Sequence, residues 1–179
     1  VLSVGSIEGR KNHVALLEAC EQLWAGGKRF DLHLVGLVHP QTGAAALARI
    51  RALQAAGRSV RYDGPVGDRA VATAYAECTF TVYPSIAEGF GLPVIESLAR
   101  GKPCICSAHG AIGESSREGG CLALESVDAP SLAAAMARLL KSPAEVSALA
   151  SAARARKFKT WAAYADELTG WMRTLSSRH

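Results

Sequence analysis

Residues 86–103, IAEGFGLPVIESLARGKP, place Glu88 and Glu96 on either side of seven residues that include Gly89, Gly91 and Pro93. The apolar run FTVYPS just before them reads as a strand ending near Tyr83, with a loop to Gly91 and then a helix. Proline is pre-organised for the first helical position and glycine favours the far end, so Pro93 and Gly101 bound that helix. The first amides of a helix lack internal partners and carry the positive end of its dipole, so the backbone near Leu92 and Val94 makes an anion site. Gly89 and Gly91 let the backbone approach a ligand closely. Glu96 follows Pro93 by about 4.5 Å along the axis, at ~1.5 Å per residue, and is expected in the first turn, where a carboxylate is favoured. An ionised carboxylate only accepts, and it can take hydrogen bonds from neighbouring hydroxyls. The order is hydroxyl clamp, phosphate cradle, hydroxyl clamp, which is also the order of sugar, diphosphate and ribose in a nucleotide sugar.

Outward from this stretch the chain alternates between strand-like and helix-like segments. VLSVG, FDLHLVG, SVRYDG, FTVYPS, PCICSA and CLAL read as strands. Helices are predicted from about Asn12, over residues 43–57 and over residues 68–77. The strands lack strict polar alternation, as expected when both faces are covered. This rhythm predicts an α/β fold, a Rossmann-like and mostly parallel sheet with helices on both faces. After Asp128 the pattern is helical, with breaks at Ser142-Pro143 and near Lys159. Trp161, Tyr164, Leu168, Trp171 and Leu175 recur at core spacing, whereas Arg154, Arg156, Lys157 and Lys159 read as a solvated face.

Composition narrows the function classes. The 179 residues are 49% hydrophobic and 20% charged, the balance of one ordinary globular domain. A net charge of +4 suits an anionic small ligand, while 6% aromatic content carries no nucleic-acid signature. No apolar run reaches the ~18 residues of a membrane span, and the start does not read as a signal peptide. Cys104 and Cys106 alternate on a strand and share a face, and their spacing does not suit zinc. With Cys20, Cys78 and Cys121 they read as small buried hydrophobes in a reducing, cytoplasmic setting.

The stretch around the two glutamates resembles the Glu–seven–Glu signature of the retaining glycosyltransferases of family 4, which have the GT-B fold. VGSIEGRKNHVALLEA, VRYDGPVGDRAVATAYAECTFTVYPS and GESSREGGCLAL resemble family segments in the expected order. The resemblance covers essentially the whole chain as the C-terminal, donor-binding half of such an enzyme, residues 1–179 forming one domain. It implies an N-terminal acceptor domain outside this chain, and a C-terminal helix over 159–179 that packs toward it. The start inside a first strand likewise suggests a domain cut from a longer chain.

By the same resemblance, Glu88 holds hydroxyls of the transferred sugar, Glu96 accepts from the ribose, and Lys11 neutralises the diphosphate. Glu88 and Lys11 are then the candidate catalytic residues. Arg10, Gly89, Phe90, Gly91 and Leu92 complete the donor-binding set, the last three through backbone amides near Gly89. Where many members carry arginine after VG this chain has Ser6, and Arg10 is the neighbouring charge that could replace it. The donor is expected to be UDP- or GDP-linked, with no cofactor and no metal, since no Asp-x-Asp pair is present. The setting implied is bacterial surface-polysaccharide or glycoconjugate synthesis, with the full enzyme at the inner face of a membrane, and the isolated domain inactive.

Other readings stay open on the residues alone. The carboxylates could be a glycosidase pair, or Glu96 could merely complement its helix and Glu88 be a solvated loop residue. A sugar-nucleotide epimerase on the same fold and a non-catalytic nucleotide-binding module are further alternatives. His39 and His109 lie in loops expected to face the cleft, and the turn at residues 63–67, DGPVG, could offer backbone groups to a base.

Overall fold

The computed structural model describes residues 1–176. Six short strands, β1 (Leu2–Val4), β2 (Leu32–Val35), β3 (Val60–Tyr62), β4 (Thr81–Tyr83), β5 (Cys104–Ser107) and β6 (Cys121–Leu124), pair in parallel in the order 3-2-1-4-5-6. Helices alternate with them: α1 (His13–Ala25), α2 (Ala44–Ala55), α3 (Asp68–Glu77), α4 (Leu92–Ala99) and α5 (Gly110–Ser116). Three more, α6 (Ala129–Lys141), α7 (Pro143–Ala155) and α8 (Trp161–Ser176), follow the last strand. The fold is therefore the expected α/β, Rossmann-like arrangement.

Alternation along the strands explains the two covered faces. Leu34, Val82 and Ile105 join a core with Leu16, Leu17, Ile50, Leu132 and Met136 beneath α1, α2 and α6. On the other side Leu2 and Val35 pack with Ala74 and Tyr75 of α3. Further along that face, Tyr83, Cys104 and Cys106 pack with Val94, Leu98 and Ile112 of α4 and α5. Cys104 and Cys106 share a face as their spacing predicts, and all five cysteines are free thiols. Burial pushes the Cys20 thiol up to about 12, as suits a small hydrophobe.

Strand order reverses between β1 and β4, so the loops leaving these neighbours diverge and open a crevice at their carboxyl ends. The two loops are tied across the gap by a hydrogen bond from the Ile86 amide to the Arg10 carbonyl, 2.9 Å. This is the position occupied by the Glu88–Glu96 stretch.

The structure adds one element to those read from the sequence and corrects one local expectation. Between β5 and β6 lies the short helix α5. Its Gly113 has no room for a side chain, because a Cβ would lie 1.9 Å from the Ala108 carbonyl oxygen. That close approach seats α5 against the end of β5, and periodicity does not reveal it. The correction concerns α4. It starts at Leu92, one residue before Pro93, and Glu96 is its fifth residue, outside the first turn. Helix-dipole stabilisation therefore does not explain Glu96.

At the other end, Pro143 opens α7 as expected, with Ser142 accepting from the Glu145 amide. Trp161, Tyr164, Leu168, Trp171 and Leu175 of α8 are exposed, Trp161 by 87%. The helix expected over 159–179 is described to Ser176, and positions 177–179 lie outside the described residues. Among the described residues no helix is long and apolar enough to cross a membrane.

Candidate active site

Lys11 reaches the crevice through a single 3-10 turn, Gly9–Lys11, after β1. The next residue, Asn12, takes the left-handed conformation at φ 55° and donates from its side chain to the Val127 carbonyl at 2.8 Å, fixing the turn. The lysine chain runs over Gly5, whose missing side chain leaves it room: a Cβ there would lie 3.4 Å from Nζ. Lys11 is nearly buried, with 8% of its surface exposed. Its ammonium donates to the Tyr83 hydroxyl at 2.9 Å and pairs with Glu88 Oε1 at 3.1 Å.

Glu88 is the centre of the cluster. Its Oε1 also accepts from the Tyr83 hydroxyl at 2.7 Å and from Ser85 Oγ at 3.2 Å. Its Oε2 accepts from Arg10 Nη1 at 3.0 Å. Burial opposes the charge on Glu88, but hydrogen bonds from Tyr83 and Lys11 and the charges of Lys11 and Arg10 outweigh it, and the carboxyl sits below its ordinary value. Burial likewise opposes the Lys11 charge, and its bonds to Tyr83 and Glu88 raise it above the ordinary lysine value. The pair is therefore ionised at neutral pH.

The signs of these shifts predict a pH dependence. A depressed carboxyl contributes stability above its unfolded value, about 4.3, and loses that contribution as pH falls through the folded value. A raised lysine contributes below about 10.4 and loses its contribution as pH rises through the folded value. Denaturant unfolding of the wild type and of Glu88→Gln between pH 3 and 7 is expected to show a stability gap that closes below about pH 4. A gap that is constant over this range contradicts the ion-pair account.

Arg10 is half exposed and split between two carboxylates, Glu88 and, at 3.0 Å, Glu8 Oε1. Ser6, the residue expected to leave a charge missing, donates to the same Glu8 oxygen at 3.0 Å. Ser6, Glu8 and Arg10 thus form one chain of contacts ending on Glu88.

The opposite flank is built differently. Glu96, partly buried on α4, accepts from the Tyr75 hydroxyl of α3 at 3.3 Å. Arg100 lies over the Tyr75 ring, 4.5 Å from its centre. Between the flanks, Gly91 caps α4 at φ 77°, a conformation that favours glycine, and Gly89 and Phe90 are exposed. Leu92 and Phe90 project at the mouth, 57% and 64% exposed. The structure brings Arg10, Lys11 and Glu88 into one cluster beside the amino end of α4, and sets Glu96 farther along the same helix with a separate partner.

Sequence spacing did not reveal Glu8, Tyr75, Tyr83 or Ser85. The only signal was positional: Tyr83 and Ser85 lie at the carboxyl end of the strand that feeds the signature loop. His13, at the start of α1, is a further buried group. Burial first, and then the Lys11 charge, lower its pKa to about 4, so it is neutral, and its Nδ1 has no partner among the described residues. The loop histidines are engaged locally. His109 meets the Glu125 carbonyl at 2.9 Å, and His39 meets Thr42 at 3.2 Å. At the DGPVG turn the Gly64 carbonyl accepts from the Gly36 amide at 2.9 Å. A hollow of about 710 Å³ lined by Asp31, Ser59 and Thr79 lies at the other end of the strands and takes no part in the cluster.

The sequence model of the group 1 glycosyl transferases matches residues 1–156. The chain belongs to the group 1 glycosyl transferases. It is 31% identical over 104 residues to the serotype-specific mannosyltransferase WbdA of Escherichia coli, covering 58% of this chain and 13% of that protein. It is 30% identical over 177 residues to the D-inositol 3-phosphate glycosyltransferase of Thermomonospora curvata, covering 94% and 41% of the two chains. The structure of sucrose-phosphate synthase from Thermosynechococcus elongatus superposes with a TM-score of 0.75 at 28% identity, over 98% of this chain and 46% of that one. The chain thus spans less than half the length of each of these relatives. The superposition places its sheet and helices in a GT-B glycosyltransferase fold.

Proposed function

We propose that this chain is the donor-binding half of a retaining glycosyltransferase of family 4 that moves a sugar from a UDP- or GDP-linked donor to a hydroxyl acceptor. The observation that carries the reading is the Lys11–Tyr83–Glu88 cluster lying against the amino end of α4 at the strand-order reversal. As the glycosidic bond stretches, negative charge gathers on the two phosphates. Lys11, Arg10 and the first amides of α4 stabilise that charge in the leaving group, with no metal required by the reading. Glu88 holds hydroxyls of the transferred sugar and Glu96 those of the ribose. The acceptor's proton passes to the departing phosphate, and the acceptor site lies on a domain outside this chain, against which the exposed face of α8 packs.

The likeness to a mannosyltransferase makes a mannosyl donor the first to test, and surface-polysaccharide synthesis the setting. Isothermal titration of the chain with UDP, GDP and their sugars is the direct check. Saturable binding of one nucleoside diphosphate is expected, without sugar transfer by the isolated domain. Failure of every nucleotide to bind contradicts the proposal.

A further inference from the structure

We propose that two buried tyrosines, Tyr83 and Tyr75, are the positioning residues that aim Glu88 and Glu96, one for each glutamate; the inference rests on the donor-binding reading above. Both rings are fixed in cores on the same face of the sheet, with 3% and 1% of their surfaces exposed. Only their hydroxyls reach out of those cores toward the two carboxylates. A ring held this tightly by packing has little rotamer freedom, so its hydroxyl is a fixed point from which a flexible glutamate can be steered.

For Tyr83 the direction of every proton is determined. The Lys11 ammonium only donates, so the Tyr83 oxygen accepts at 2.9 Å and its single proton points to Glu88 Oε1 at 2.7 Å. With Lys11 at 3.1 Å and Ser85 at 3.2 Å, Oε1 receives three donors. Oε2 is left with Arg10 alone, on the half-exposed side. Tyr83 thereby orients the carboxylate so that Oε2 is the oxygen offered outward to a sugar hydroxyl. It also sets the reach of Lys11, whose ammonium lies 5.1 Å from the centre of the Tyr83 ring.

Tyr75 performs the corresponding task from α3. Its hydroxyl donates to Glu96 Oε2 at 3.3 Å, drawing that side chain along α4 and leaving Oε1 for a ligand. Arg100 covers the ring and donates to the Glu96 backbone carbonyl at 3.1 Å, so the same arginine braces both partners. The two tyrosines lie on different elements, and their effects should separate.

The test uses the full-length enzyme carrying Tyr83→Phe or Tyr75→Phe, changes that remove a hydroxyl and keep the ring. Tyr83→Phe is expected to lower kcat about tenfold while the Kd for the free nucleoside diphosphate stays within about twofold. Tyr75→Phe is expected to weaken that Kd about fivefold. Carbon NMR of the Glu88 carboxyl supplies a readout independent of activity. The groups facing it are Lys11, Arg10 and Tyr83, with Glu8 beyond Arg10. Its titration should move to higher pH in Tyr83→Phe and stay in place in Tyr75→Phe. Ser85→Ala removes another Oε1 donor without touching a ring and should move it the same way by less, which keeps the test alive if Tyr83→Phe melts.

Loss of the same kinetic parameter in both variants, or a Glu88 titration unmoved by Tyr83→Phe, overturns the assignment. If the wild type binds no nucleotide, the donor-binding reading fails instead, and the NMR titration still decides whether Tyr83 holds Glu88.

Discussion

Lys11→Met in the full-length enzyme is expected to lower kcat/KM for the nucleotide sugar by about 10²- to 10³-fold, the effect of losing one preorganised donor at a developing negative charge. Methionine keeps the apolar stem that runs over Gly5 and removes only the ammonium. The loss should fall on transfer more than on binding, because charge on the leaving phosphates is greatest in the transition state. It should be accompanied by a changed Glu88, which loses a charge partner while keeping Tyr83, Ser85 and Arg10. Steady-state kinetics with thermal melting separates this from damage to the fold. A variant that melts normally and transfers sugar at the wild-type rate removes Lys11 from the mechanism.

The second large effect separates the two glutamates. Glu88→Gln should abolish most transfer, again by about 10²-fold or more, because hydrogen bonds to a charged acceptor are worth about 1.5–3 kcal/mol each and the proposed role of Glu88 is to hold the sugar through them. Binding of the free nucleoside diphosphate should survive and even tighten, since Lys11 and Arg10 are both released from Glu88 to meet phosphate. Glu96→Ala should do the reverse. Free nucleotide should bind about tenfold more weakly, which corresponds to about 1.4 kcal/mol, with a smaller change in kcat. Titration calorimetry with the nucleoside diphosphate, beside transfer rates with its sugar, measures both. Equal losses in the two variants would contradict the separate roles.

These effects were partly legible in the sequence. Strands apolar on both faces and helices between them announced a parallel sheet, and the glycines and proline around Glu88 announced a loop entering a helix. Lys11 is picked out by the family resemblance, and its position just after the first strand suits the role. What local pattern could not supply was the company these residues keep. Lys11 and Tyr83 are 72 positions apart, and Arg10 and Glu88 are 78 apart. Only the adjacency of β1 and β4 brings them together, and that adjacency is a property of strand order.

Glu96 shows the complementary failure. Counting from Pro93 put it in the first turn, but α4 starts one residue earlier and the glutamate turns to Tyr75 of α3. Arg10 stood out as a free charge next to Lys11, whereas two carboxylates already hold it. The short helix α5 carries no sequence signal, because seven residues with two glycines show no period, and the close approach at Gly113 depends on a carbonyl five residues earlier.

The central claim is that the amino end of α4 receives a diphosphate between two hydroxyl-binding glutamates. A crystal structure of the full-length enzyme with an intact nucleotide sugar measures this directly. The account predicts the diphosphate at the first amides of α4 beside Lys11, a sugar hydroxyl on Glu88 Oε2 with Arg10 displaced toward the phosphates, and the ribose hydroxyls on Glu96. A donor bound elsewhere on the sheet, or bound in this crevice with Glu88 still closed on Arg10 and Glu96 turned away, contradicts it.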